Sequence, residues 1–319
     1  MSTPEISIII PAYQEEHNIR PLFEVLQRVM GNENYEVLFI DDGSQDGTSE
    51  EIHLLGKAHS NVRGLSFSRN FGHQAALKAG IDHATGNCVI SIDCDLEHPP
   101  DLLPQMITIW RSGIDVVITQ RKESLQLSFV KRFSSRIFYS ILEMLSEVSI
   151  EPGSADFRLL DRKVVNVCKS FSESDLFWRG LIPWLGFKTE VLLYDQGQRL
   201  HGSSKYSLKK MFKLSVAGIT SFSVRPLYFS LYLGAFFASS SMLYLFYALG
   251  IKMFTYRSVS GWASVIASVL LMGGVQLFIL GVMGIYLGKL FIQSKSRPQY
   301  IISQILPRRQ SDQELKKVG

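Results

Sequence analysis

The 319-residue chain has little cysteine and, in its C-terminal part, little acid. Its three cysteines, Cys88, Cys94 and Cys168, form an odd set without metal-ligand spacing, which counts against a disulfide and fits reduced core thiols in a cytosolic domain. The chain has no Gly-x-Gly-x-x-Gly and no Walker-type loop, which counts against a dehydrogenase or an NTPase. Met1-Ser-Thr-Pro-Glu5 leads into an apolar run of only a few residues, so no signal peptide is expected and this end is expected to stay in the cytosol. Residues 195–319 hold 3 Asp/Glu against 15 Lys/Arg (net +12), whereas residues 1–194 hold 26 against 18 (net −8). A basic half of this kind suits nucleic acid or an anionic membrane surface. Long apolar runs favour the membrane, and no nucleic-acid partner is expected.

What is present begins with alternation. Ile6–Ile10, Val37–Ile40, Val62–Phe67, Val89–Ile92 and Val116–Ile118 read as buried strands, with helical spacing in Glu15–Met30, Thr48–Lys57, Gln74–Ala84 and Asp101–Arg111 between them. Such alternation predicts an α/β fold, a doubly wound and mainly parallel sheet with helices on both faces. Ligands bind beyond the carboxyl ends of strands in sheets of this type, which puts Pro11-Ala12-Tyr13, Asp41-Asp42-Gly43-Ser44 and Asp93-Cys94-Asp95 on one rim. If extended geometry persists past the fourth strand, Asp93, Asp95 and Glu97 share a face, where three hard oxygen donors suit Mg²⁺ or Mn²⁺ on a substrate phosphate. A solvated acidic turn is the alternative, and these residues alone leave both open.

Residues 128–147 carry apolar positions every four residues (Phe129, Phe133, Ile137, Ile141, Leu145) beside Lys131, Arg132 and Arg136. Either an interfacial amphipathic helix or a core-packing helix fits that pattern. Lys205–Phe222 repeats it. Leu227–Leu249 and Trp262–Gly288 then run 23 and 27 residues without a charge. As helices they reach roughly 35 and 40 Å against a hydrocarbon core of about 30 Å, so both are expected to span a membrane. Gly273, Gly274, Gly281, Gly284 and Gly288 give the second a small-residue face suited to close helix packing, and a homo-oligomer is plausible on that ground. Lys/Arg is denser before the first span and after the second than between them, which leaves both ends cytosolic.

Pro11-Ala-Tyr-Gln-Glu-Glu16, Asp41-Asp-Gly-Ser-Gln-Asp-Gly-Thr48, Arg69-Asn-Phe-Gly-His73 and Asp93-Cys-Asp-Leu-Glu-His-Pro-Pro100 occur in order. Together they resemble the family 2 inverting glycosyltransferases with the GT-A fold. With Arg199-Leu-His-Gly-Ser-Ser-Lys-Tyr206 and two C-terminal spans, the chain is most similar to polyisoprenyl-phosphate glycosyltransferases, the dolichol-phosphate mannose synthase-like group that includes bactoprenol glucosyltransferases. Gln14, Cys94 and Glu97 depart from the commoner Asn, Ala or Gly, and Gln of that group. The Gln-x-x-Arg-Trp motif of processive synthases is missing, since Trp178-Arg179 has the reverse order, and a single-sugar transfer is therefore expected.

The resemblance implies roles by position. Pro11, Ala12, Tyr13, Glu15 and Asp42 would hold the nucleoside of a nucleotide-sugar. Asp93, Asp95 and Glu97 would bind Mg²⁺ or Mn²⁺ bridging its diphosphate, with Asp93 a donor contact and Asp95 counted as catalytic. Arg199 and Lys205 would clamp the diphosphate. Arg121, Lys131 and Ser135 would meet the phosphate of a polyprenyl phosphate acceptor. Asp156 would act as general base or orient acceptor or sugar. His73 and His98 are expected to be polar neighbours, not ligands.

The expected organisation is a cytosolic GT-A domain over 1–200, a basic loop and juxtamembrane helix over 201–226, spans at 227–249 and 262–288 around an extracytosolic loop at 250–261, and a basic cytosolic tail over 289–319. The expected reaction is inverting transfer of a hexose, glucose from UDP-glucose, to a polyprenyl phosphate at the cytosolic face of the inner (plasma) membrane. GDP-mannose or a modified UDP-sugar is the rival donor, and a non-catalytic nucleotide-sugar-binding scaffold the rival from another class.

Overall fold

The β-branched runs become the middle of one sheet. In the computed structural model, which describes residues 3–121, 154–173, 176–194, 224–255 and 261–306, β1 (Ile6–Ala12) pairs in parallel with β2 (Tyr35–Asp41) and β4 (Cys88–Ser91), and β2 pairs in parallel with β3 (Val62–Phe67). Ile6, Ile8, Ile10, Val37, Phe39 and Ile90 are fully buried, each such side chain contributing about 1.5–3 kcal/mol over its exposed state. Three crossover helices join these strands: α1 (Glu16–Met30), α2 (Thr48–Ala58) and α3 (His73–His83). In α1, Ile19, Leu22, Phe23, Leu26 and Met30 repeat at helical spacing and are buried, and Gly31, at φ +52°, ends it. A single 3₁₀ turn at Pro100–Leu102 leads into α4 (Leu103–Arg111) and then β5 (Val116–Arg121).

The flanks differ from expectation. β6 (Ser154–Asp161) inserts antiparallel between β4 and β5, and β7 (Thr189–Tyr194) runs parallel to β5 at one edge. At the other edge β8 (Ile302–Leu306) lies antiparallel on β3. The eight-stranded order is β7-β5-β6-β4-β1-β2-β3-β8, so the sheet is mixed and only its centre is wholly parallel. α5 (Arg162–Lys169), capped by Asp161 accepting from the Lys163 amide, and α6 (Trp178–Trp184) complete this unit. Cys88, Cys94 and Cys168 are buried and unpaired.

β8 corrects the reading of 289–319 as a tail. Leu306 is 2 % exposed against β3, Ser303 donates to the Ser66 carbonyl, and the Tyr300 ring stacks on Phe67 with centroids 5.3 Å apart. Leu306 in the core and the Ser303 and Tyr300 contacts seat this short segment as the edge strand, while Ile301 and Ile305 stay exposed.

A second unit holds α7 (Arg225–Thr255) and α8 (Trp262–Ser294), of 31 and 33 residues, each longer than the uncharged runs alone. Both are long and apolar enough to cross a membrane. Leu243 and Leu277 are about 70 % exposed. A Cβ built on Gly273, Gly274, Gly281, Gly284 or Gly288 meets nothing within 4 Å, so these glycines do not serve close packing among the described residues. The helix expected at 128–147, the one at Lys205–Phe222, and Lys131, Ser135, Arg199 and Lys205 lie outside the described residues.

Candidate active site

Two loops leave the carboxyl ends of β1 and β2 and are laced together. Gln14, at φ +57°, donates its amide to Ser44 Oγ at 3.0 Å, and the Glu15 amide reaches Thr48 Oγ1 at 2.9 Å. Gly47 returns an amide to Glu16 Oε2. Asp41 is buried as a turn anchor, accepting from the Ser44 amide and the Ser66 hydroxyl. Asp42 takes the Phe71 amide on one carboxylate oxygen (2.6 Å) and the Gly72 amide on the other (2.9 Å), so it holds the Arg69–His73 loop in place. Gly43 (φ +69°) is where the two loops touch, since a Cβ there would sit 2.5 Å from the Arg69 carbonyl carbon. Pro11 and Ala12 end β1, the Tyr13 side chain beside them is 43 % exposed, and Glu15 accepts from the Asn18 side-chain amide.

The acidic stretch does not continue β4. The strand stops at Ser91, the chain turns at Cys94-Asp95, and Leu96 adopts φ +60°. The alternation that would have put Asp93, Asp95 and Glu97 on one face is therefore broken. Glu97, 8 % exposed, turns to Arg121, whose Nη2 lies 3.0 Å from Oε2. Asp93 and Asp95 are half-buried, and Asp95 Oδ1 accepts the Glu97 amide. Among the described residues no group of three or more His, Cys, Asp or Glu is disposed as a metal cage. Two half-exposed carboxylates still fit Mg²⁺ or Mn²⁺, hard ions that keep waters and are commonly held by one or two carboxylates plus substrate phosphate. Of the three acids expected to hold the ion, Asp93 and Asp95 are the half-exposed ones, and Glu97 is engaged by Arg121.

Around Asp93 a polar cluster forms in which His73 and His98 are the polar neighbours expected from their motifs and Tyr194 is an addition. Asp93 Oδ2 meets His98 Nε2 at 3.0 Å, and its Oδ1 lies 3.7 Å from His73 Nε2. His98 Nδ1 is 2.8 Å from the Tyr194 hydroxyl, which accepts from Arg121 Nε at 3.2 Å. Burial raises the Asp93 pKa, but the His98 hydrogen bond and the His73 charge outweigh it and leave the carboxyl below its ordinary value.

Asp156, 3 % exposed on β6, is held from three sides. Arg158 grips Oδ1 at 2.5 Å, Arg179 donates to Oδ2 from Nε and Nη2 at 3.1 and 2.8 Å, and His73 Nε2 lies 3.5 Å away. Burial opposes its charge, yet the His73 hydrogen bond and the two guanidiniums hold its pKa well below the carboxylate range. Arg179 is aimed there because Trp178 ties the start of α6 to Gln74 through its amide (3.0 Å) and its indole N–H (3.2 Å). Arg158 was legible in principle, two positions after Asp156 and hence on the same side of a strand. Tyr194 and Arg179 carry no such local signal.

Residues 7–171 match the family described as Glycosyl transferase family 2. The chain is 41% identical over 302 residues to an uncharacterized glycosyltransferase, YkcC, of Bacillus subtilis (strain 168), covering 94% of each. It is 39% identical over 300 residues to the bactoprenol glucosyl transferase of Shigella phage SfV, covering 93% of this chain and 98% of that one. Among solved structures it is similar to glucosyl-3-phosphoglycerate synthase from Mycobacterium tuberculosis in complex with Mn²⁺, UDP and phosphoglyceric acid, at 19% identity and a TM-score of 0.47 over 68% of this chain and 76% of that one.

Proposed function

The chain belongs to glycosyl transferase family 2, and from that premise we propose that it moves one glucose from UDP-glucose to a polyprenyl phosphate, with inversion, at the cytosolic face of the plasma membrane. The near full-length likeness to bactoprenol glucosyl transferases supports the substrate pair. The observation that carries the chemistry is the gathering of Tyr13, Asp42, Asp93 and Asp95 at the carboxyl rim of one sheet, with Asp156 locked among cations beside Asp93.

In this reading Pro11, Ala12, Tyr13, Glu15 and Asp42 form the nucleoside seat, Asp42 by fixing the Phe71-Gly72 backbone. Asp93 and Asp95 hold Mg²⁺ or Mn²⁺, which when bound neutralises charge on the departing diphosphate. Arg199 and Lys205 complete the diphosphate contacts, and Arg121, Lys131 and Ser135 receive the acceptor phosphate. A phosphate oxygen attacks C1 as the bond from C1 to the diphosphate breaks on the opposite side. Lipid phosphate is already ionised at neutral pH and needs orientation more than a base. Asp156, stabilised as an anion by two guanidiniums, is a weak proton acceptor, so we assign it the orienting role. Two apolar helices and the basic flanks support a multi-pass placement with the catalytic unit and both ends cytosolic.

Membranes containing the protein, given polyprenyl phosphate, Mn²⁺ and radiolabelled nucleotide-sugars in turn, test this. Label is expected in the lipid phase from UDP-glucose in preference to GDP-mannose or UDP-pentoses. Absence of labelled lipid from every donor overturns the reading.

A further inference from the structure

Arg121, Tyr194 and His98 form one continuous path to Asp93. Arg121 Nε lies 3.2 Å from the Tyr194 hydroxyl, that hydroxyl 2.8 Å from His98 Nδ1, and His98 Nε2 3.0 Å from Asp93 Oδ2. His98 is 1 % and Tyr194 3 % exposed, and the Phe157 ring packs against both, with centroids 5.4 and 6.5 Å away. Donor chemistry gives the path a direction. A guanidinium only donates, so the Tyr194 oxygen accepts from Arg121. Burial raises the phenol's pKa, so the hydroxyl keeps its proton and passes it to His98 Nδ1 as a hydrogen bond. An imidazole that accepts at Nδ1 carries its proton on Nε2, and that N–H points at Asp93 Oδ2.

We propose that His98 and Tyr194 are positioning residues, forming a one-way hydrogen-bond path from Arg121 that holds Asp93 Oδ2 and fixes the orientation of that carboxylate toward a cation brought by the donor diphosphate. The proposal deepens the donor reading above and rests on it. A carboxylate held through one oxygen by a buried imidazole keeps one rotamer, and partners of this kind typically set cation affinity by 10–100-fold.

The test uses the full chain in detergent, with Mn²⁺ uptake in the presence of UDP followed by the electron paramagnetic resonance of free Mn²⁺, and thermal unfolding recorded beside it. His98→Asn, whose donor falls at the Nδ1 position, is expected to weaken uptake roughly ten- to hundredfold. Tyr194→Phe, which removes the hydroxyl that joins Arg121 to His98, weakens it about two- to tenfold. His98→Gln, whose amide nitrogen takes the place of Nε2, stays within about threefold of the parent. Equal loss in His98→Asn and His98→Gln overturns the path, as do parental affinity in all three variants and losses that follow the melting temperature. A parent chain that takes up no Mn²⁺ with UDP overturns the donor reading and the path together, which separates the two failures.

Discussion

Arg121 holds Glu97 from Nη2 at 3.0 Å while its Nε reaches Tyr194, so a residue that the resemblance assigns to the acceptor is bonded to one that it assigns to the donor's cation. Glu97 was read as a cation ligand and Arg121 as an acceptor contact, yet here they neutralise each other. Glu97→Gln keeps an oxygen for Arg121 and is expected to raise the Mn²⁺ half-saturation by less than about threefold, against tenfold or more for Asp95→Asn. Initial rates across a Mn²⁺ series separate the two. A tenfold loss in Glu97→Gln would return Glu97 to the donor set.

Asp156→Asn removes the counter-charge of Arg158, which is 3 % exposed. Breaking a buried pair from one side costs about 3–5 kcal/mol, and the retained amide oxygen places the expected loss toward the lower end. Denaturant unfolding in detergent measures it. Because the carboxylate serves as an anchor, residual activity is expected to keep the parent's pH–rate shape, whereas loss of an acidic limb would identify Asp156 as the base.

Glu36, 2 % exposed on β2, collects the Ser7 hydroxyl, the Thr85 amide and hydroxyl, and the Arg63 guanidinium. Burial pushes its pKa up, but these partners outweigh it and hold it below the ordinary 4.5. A depressed carboxylate contributes stability that is present above its unfolded value and lost as pH falls through the folded one. Glu36→Gln is therefore expected to cost about 1–3 kcal/mol at pH 7, with the gap to the parent closing on acidification below 4.5. Melting curves at pH 7 and under acid conditions check the sign.

Tyr300 fastens β8 to the sheet edge by stacking on Phe67 and donating to Asp82 Oδ2 at 2.9 Å. Tyr300→Ala is expected to cost about 2–4 kcal/mol and Tyr300→Phe about 1 kcal/mol or less. Limited proteolysis should cut near 297–301 faster in the alanine variant alone.

The central strands were legible because Ile, Val and Leu fill both faces of β1, β2 and β4 and leave no competing period. β6 was not, since Asp156 and Arg158 interrupt its apolar alternation, and only the fold shows that the two charges cancel inside. β8 escaped because five residues after a 33-residue apolar helix look like the start of a tail. Asp42, Asp93 and Asp156 stand out in sequence as acids, but each also has a remote partner: the Phe71 and Gly72 amides for Asp42, His73 for Asp93 and Arg179 for Asp156. His98 meets Tyr194 from 96 positions away, a distance no local spacing encodes. The acidic triplet misled for the opposite reason: alternate spacing implies a shared face only while the backbone stays extended, and Leu96 at φ +60° ends that.

Purified protein incubated with UDP-glucose, polyprenyl phosphate and Mn²⁺ tests the central claim most directly when the lipid product is analysed by mass spectrometry and anomeric proton coupling. The account expects a lipid heavier by a single hexose, β-linked from the α-linked donor, formed with Mn²⁺ and abolished by a chelator. An unchanged lipid with free glucose as the product, or an α-linked product, would contradict it.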